Sequence, residues 1–235
     1  MSFFDYTDGE TTFEGYISVP KDNSKNKFPC VLVGHAWSGP SEHFYKIADD
    51  LAKQGYVGLA FDVYGKGKRG PVDGDNSHLM NPLLEDRRLL RKRLLTAFNE
   101  AKKHPQVLSN QIAVMGHCFG GLCALDLARA NPEGLKGAIS IHGLLNSPNL
   151  EETQIHSSVL VLHGWEDPMV STESILEFTK EMNRTNADWQ IHAYGHAMHA
   201  FTLEGANIPE LGIKYNEKAH KRSLSTIAKF LSEIF

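Results

Sequence analysis

Residues Gln111 to Leu125, reading Gln-Ile-Ala-Val-Met-Gly-His-Cys-Phe-Gly-Gly-Leu-Cys-Ala-Leu, constrain the fold more than any other stretch of the chain. An apolar run with β-branched members ends in Gly116-His117-Cys118-Phe119-Gly120, and good helix formers from Leu122 to Ala130 follow at once. The pattern reads as strand, sharp turn, helix. Glycines at 116 and 120 let strand and helix approach closely, while residue 118 takes a strained backbone that lifts its side chain clear of the turn. Cys118 then stands at a helix N-terminus, where unpaired N–H groups and the helix dipole favour a thiolate over a thiol. Such a turn is a nucleophile elbow carrying sulfur. Taken alone, it is equally a glycine-rich β–α turn around a buried cysteine.

The flanking sequence supplies the rest of a sheet. With 235 residues, 41% of them hydrophobic, the chain suits one α/β domain over residues 1–235. Residues 3–19 alternate apolar and polar side chains, as an antiparallel pair at a sheet edge would, and Pro20 closes the pair. Near-continuous apolar runs at 28–34, 56–63, 135–143, 157–164 and 188–194 read as buried strands. Between them, Phe44, Ile47, Ala48, Leu51 and Ala52 mark a helical face, and segments 172–182 and 215–235 are helical. Asn81 as N-cap with Pro82 at the first helical position predicts a further helix through Ala101. Its Arg87, Arg88, Arg91, Lys92 and Arg93 read as a solvated face rather than an anion grip, because Glu85, Asp86 and Glu100 share the helix. Strands alternating with helices imply a mostly parallel central sheet with helices on both faces.

Composition excludes some partners. A net charge of −4 draws nothing to nucleic acid or anionic lipid. No segment approaches membrane-spanning length and the first residues carry no basic leader, so a soluble protein of the cytoplasm is expected. Three cysteines, Cys30, Cys118 and Cys123, are too few for a secreted disulfide framework and read as free thiols. Nothing in the sequence sets an oligomeric state.

In a doubly wound sheet, sites form beyond the C-terminal ends of the strands, so the polar residues that follow each strand are the candidates. Gly164-Trp165-Glu166-Asp167-Pro168 follows one strand, and Gly195-His196-Ala197-Met198-His199-Ala200-Phe201 follows another. With Cys118 these supply nucleophile, acid and histidine in the chain order of the α/β-hydrolase arrangement. Asp167 competes with Glu166 for the role of acid, and His199 with His196 for that of base. A metal site at His192, His196 and His199 is disfavoured, since Gly195 interrupts any helix and no His-Glu-x-x-His occurs.

Together, Gly116-His117-Cys118-Phe119-Gly120-Gly121, Gly164-Trp165-Glu166-Asp167-Pro168, His199-Ala200-Phe201 and the upstream Phe61-Asp62-Val63-Tyr64-Gly65 resemble the dienelactone hydrolase family from about Phe28 to the C-terminus. The resemblance implies an α/β-hydrolase fold and a Cys118–Asp167–His199 triad. It also implies hydrolysis of a small-molecule ester or lactone, without a cofactor. Family members carry a glutamate where this chain has Ala36, and a carboxylate-binding arginine where it has Leu203. The likeness therefore supports fold and triad, and these two departures leave the dienelactone substrate itself open. The oxyanion hole falls to the backbone N–H groups of Phe119 and Trp37. Thiolate formation falls to the helix N-terminus and His199, or to His35; His35 and Tyr64 are candidate pocket residues, and loops 65–80 and 203–212 are candidate walls. Two rival readings stand beside this one: a non-catalytic hydrolase-fold protein that binds a small molecule or protein, and a redox thiol with Cys123 as resolving partner.

Overall fold

A computed structural model describes residues 1–22 and 24–235. β1 (Ser2–Thr7) and β2 (Thr12–Ser18) form an antiparallel hairpin at one edge of the sheet. β2 pairs antiparallel with β4 (Val57–Phe61). From there the sheet is parallel, running through β3 (Phe28–Gly34), β5 (Val107–His117), β6 (Leu135–Ile141), β7 (Ser158–Gly164) and β8 (Trp189–Tyr194). The chain steps from β3 outward to β4, then returns to place β5 on the other side of β3. Two loops consequently diverge above β3 and β5, and the crevice between them is where such sheets bind ligands.

Alternate strand residues feed two cores. Val31, Val33, Ala113 and Met115 face α1 (Glu42–Lys53) and α6 (Glu217–Ile234). Cys30, Leu32, Ile112 and Val114 face the other side, with α2 (Ser77–Glu85), α3 (Arg87–Lys103), α4 (Phe119–Ala130) and α5 (Thr172–Arg184). Burial on both faces explains why these strands read as continuous apolar runs.

Three local expectations change. Tyr16, which falls among the polar positions of the alternation in residues 3–19, is buried under α1, where its ring lies 4.9 Å from that of Tyr45 and its hydroxyl donates to Asp49. Pro82 is inside α2 rather than at a helix start, and it removes one ladder bond there. The long helix instead begins after Asp86, whose carboxylate accepts the Leu89 N–H at 2.9 Å. The arginine run is also only partly a solvated face. Arg87 makes two bonds to Asp126, at 2.7 and 2.6 Å, and Arg93 donates to Val63 O at 2.6 Å. Asp126 also accepts from Arg129, which makes two 2.8 Å bonds to Glu181, so buried ion pairs join α3, α4 and α5. Breaking one partner of such a network is costlier than its net contribution suggests, because a charge is left buried.

The elbow depends on missing side chains. A Cβ on Gly116 would overlap the backbone of Gly120, and one on Gly120 would lie 2.8 Å from His35 O and overlap Gly34 O. α4 can therefore start directly against β3 and β5. Gly120→Ala is expected to destabilise the protein by about 1–3 kcal/mol, the usual cost of overpacking. Urea unfolding measures it; an unchanged midpoint would mean that the close approach is not needed.

Candidate active site

Cys118 occupies the N-cap of α4 with φ 54° and ψ −118°, a conformation few non-glycine residues adopt. Its N–H donates to Ile141 O at 3.0 Å, which ties the turn to β6. Its carbonyl accepts the N–H groups of Gly121 and Leu122, at 2.9 and 3.3 Å. Among the described residues, Phe119 N–H, next to the thiol, meets no protein acceptor. Cys118 is part-exposed, whereas Cys30 and Cys123 are buried.

His199 follows β8. Its backbone is held by Gly212 O, which accepts its N–H at 2.8 Å, and by Lys214 N–H, which donates to its carbonyl at 3.1 Å. Its ring Nδ1 donates to Asp167 Oδ2 at 2.7 Å, and Asp167 Oδ1 accepts the Met169 N–H at 2.9 Å. Both side chains are nearly inaccessible, 5% and 0% exposed. Burial alone would strip the proton from this ring. The opposing effects of Cys118, by charge and hydrogen bond, and of Asp167 are larger in sum, and they push the His199 pKa from 6.5 up to about 10. Nδ1 therefore faces a carboxylate.

The rivals Glu166 and His196 pair with each other at the surface, at 2.9 Å. His192 bonds Gln190 rather than His196 or His199. Among the described residues, no group of three or more His, Cys, Asp or Glu side chains is placed to hold a metal ion.

The loop after β3 lies beside the elbow, since Gly34 and His35 touch Gly120. Trp37 N–H has no protein acceptor among the described residues, like Phe119 N–H. Tyr64 Oη donates to Trp37 O at 3.0 Å, and the Tyr64 ring stacks on Phe119 with centroids 5.7 Å apart. Burial raises the Tyr64 phenol pKa above its usual value, so it remains a donor. His35 is buried beneath the same loop, 4.7 Å from the Tyr64 ring, and Ala36 is part-buried. Both candidate walls reach the site. Gly70 N–H donates to Ser38 O at 2.9 Å, and the segment around Gly212 packs on Pro168.

His142 is the residue the sequence reading passed over. It was placed inside a strand, but β6 ends at Ile141 and His142 leaves the sheet with φ 39°. Its ring meets that of His199 edge-on at 5.1 Å, and its Nε2 bonds Thr202 Oγ1 at 2.9 Å. Burial, with the neighbouring His199 second, holds it well below the usual histidine pKa and hence neutral. The signal was available, because a polar residue at the mouth of a strand is what had singled out Asp167.

A model of the dienelactone hydrolase family matches residues 13–235. The chain belongs to the dienelactone hydrolase family. Two solved structures superpose on it closely: "m3DLH", with TM-score 0.91, and the dienelactone hydrolase-like promiscuous phosphotriesterase P91 from metagenomic libraries, with TM-score 0.89. Each is 32% identical and aligns over 100% of this chain and 98% of its own. A Yersinia pestis protein named "Putative carboxymethylenebutenolidase" is 30% identical over 83% of this chain and 79% of that protein. These neighbours share the α/β fold described above, with its mostly parallel sheet between helical layers.

A proton shared between Cys118 and His199 would have a direct consequence. Iodoacetamide should alkylate Cys118 at pH 7 about tenfold or more slowly in His199→Ala than in wild type, while His196→Ala reacts at the wild-type rate. Equal rates in wild type and His199→Ala would separate the thiol from the imidazole.

Proposed function

We propose that this family member is a cofactor-independent hydrolase of carboxylic esters and lactones, folded as one domain, with Cys118 as nucleophile, His199 as base and Asp167 as the acid that orients it. The observation that carries the reading is the buried 2.7 Å contact from His199 Nδ1 to Asp167 Oδ2, on a ring whose pKa the nearby Cys118 helps to raise. The family match and the carboxymethylenebutenolidase name of the Yersinia pestis relative support the same reaction class.

In the proposed reaction the imidazolium of His199 faces a Cys118 thiolate. Sulfur attacks the carbonyl carbon, a C–S bond forms, and the π electron pair moves onto oxygen. The resulting oxyanion is met by the N–H groups of Phe119 and Trp37; losing one such donor typically costs about 100- to 1,000-fold in rate. As the tetrahedral centre collapses, the C–O bond breaks and the leaving alkoxide takes the proton from His199. Neutral His199 then accepts a proton from water, the hydroxide adds to the thioester, and collapse releases the acid and the thiolate.

Neither rival reading has comparable support. A binding protein has no need of a buried, aligned carboxylate–imidazole pair. In a redox pair Cys123 would be a poor partner, because burial holds its thiol well above the usual pKa. Free thiols at Cys30, Cys118 and Cys123 suit the reducing cytoplasm. Among the described residues, no helix is long and apolar enough to cross a membrane.

The test is a panel of aryl esters, lactones and thioesters of graded size and charge, with a phosphotriester added because of the P91 likeness. Wild type should turn over at least one carboxylic ester, Cys118→Ala should lose that turnover, and intact mass should show an acyl group on Cys118 during it. Full activity in Cys118→Ala would remove the site from consideration.

A further inference from the structure

His35 is almost fully buried, and both of its ring nitrogens meet main-chain groups of fixed character. Nδ1 lies 2.8 Å from Ala36 O, which can only accept, and Nε2 lies 3.4 Å from the Val63 N–H, which can only donate. One protonation state satisfies both contacts: the neutral ring with its proton on Nδ1. Burial, only partly opposed by Asp62, keeps the ring neutral by lowering its pKa to about 4.

Ala36 O also accepts the Gly39 N–H at 3.0 Å. That carbonyl belongs to the same peptide unit as Trp37 N–H. The unit is planar and trans, so a grip on its oxygen fixes its N–H in the opposite direction. The next two carbonyls are held as well, Trp37 O by Tyr64 Oη at 3.0 Å and Ser38 O by Gly70 N–H at 2.9 Å. Three successive carbonyls of the loop are thus bonded, while Trp37 N–H has no acceptor among the described residues.

We propose that His35 is a positioning residue for the oxyanion hole: its Nδ1–H holds Ala36 O and so aims Trp37 N–H at the oxygen on which charge develops, with Val63 N–H locking the tautomer. This rests on the hydrolase reading given above. It also assigns the buried imidazole beside Ala36 a role distinct from making the thiolate. With both nitrogens engaged by backbone, His35 neither takes nor gives a proton during turnover, and that duty stays with His199.

The experiment compares wild type, His35→Ala and His35→Asn, the last keeping an N–H near the place of Nδ1. With an aryl acetate that wild type hydrolyses through Cys118, His35→Ala should lower kcat about 100-fold with KM changed by no more than about threefold. Iodoacetamide should still alkylate its Cys118 at nearly the wild-type rate, because the thiolate does not depend on His35. His35→Asn should recover at least about tenfold of the lost kcat. A wild-type kcat in His35→Ala, an Asn variant no better than Ala, or alkylation falling in step with kcat would each overturn the proposal. Should His35→Ala fail to fold, ring-nitrogen NMR of wild type decides, with His35 assigned by its absence from the His35→Asn spectrum. A neutral Nδ1–H ring from about pH 5 to about pH 9 is expected, and an Nε2–H or charged ring contradicts the proposal. If wild type shows no Cys118-dependent ester turnover, the hydrolase reading has failed instead, a result the NMR tautomer leaves separate.

Discussion

The buried 2.7 Å contact between the Asp167 carboxylate and the His199 imidazole is the constraint on which the rest turns. His199 is nearly inaccessible, and a lone imidazolium there would lose its proton to water. The carboxylate of Asp167 and the sulfur of Cys118 reverse that preference. Each partner is anchored by backbone. Asp167 accepts the Met169 N–H, Cys118 caps α4, and His199 is pinned through Gly212 and Lys214. The placement of these three residues is therefore a property of three strand mouths.

The sheet makes this possible at one place. β3 and β5 are neighbours although α1, β4, α2 and α3 separate them along the chain, so the loop bearing Trp37 and the elbow bearing Cys118 open over the same crevice. Gly34, Gly116 and Gly120 let α4 descend onto that crevice. Behind His199, neutral His142 fills space edge-on without adding a second charge, and below the loop after β3 neutral His35 bonds the backbone carbonyl of Ala36. Burial pushes His142 and His35 toward the neutral form while its partners push His199 the other way, so surroundings rather than residue type set protonation.

Much of this was legible in the residues. The elbow could be read because Gly-x-Cys-x-Gly combines three local requirements: a strand end, a positive φ and a helix start. The parallel strands could be read because burial on both faces leaves an unbroken apolar run. Between Asp167 and Glu166, and between His199 and His196, the residues alone left a choice that the family resemblance made; in the structure the first of each is buried and the second lies at the surface. What escaped was tertiary. His142 was hidden because one residue's error in a strand end turns a site residue into a strand residue. Asp86 was overlooked as a cap because Pro82 offered a stronger local signal. Arg87 and Arg93 looked solvated because their acceptors, Asp126 and Val63 O, lie far away in sequence.

The most direct measurement of the central claim is an NMR titration of the His199 ring in wild type and in Cys118→Ala. The account requires a ring that stays protonated until about pH 10 in wild type and loses its proton at clearly lower pH once the sulfur is removed. A wild-type ring titrating near the ordinary 6.5, or one whose titration ignores the loss of Cys118, would contradict it.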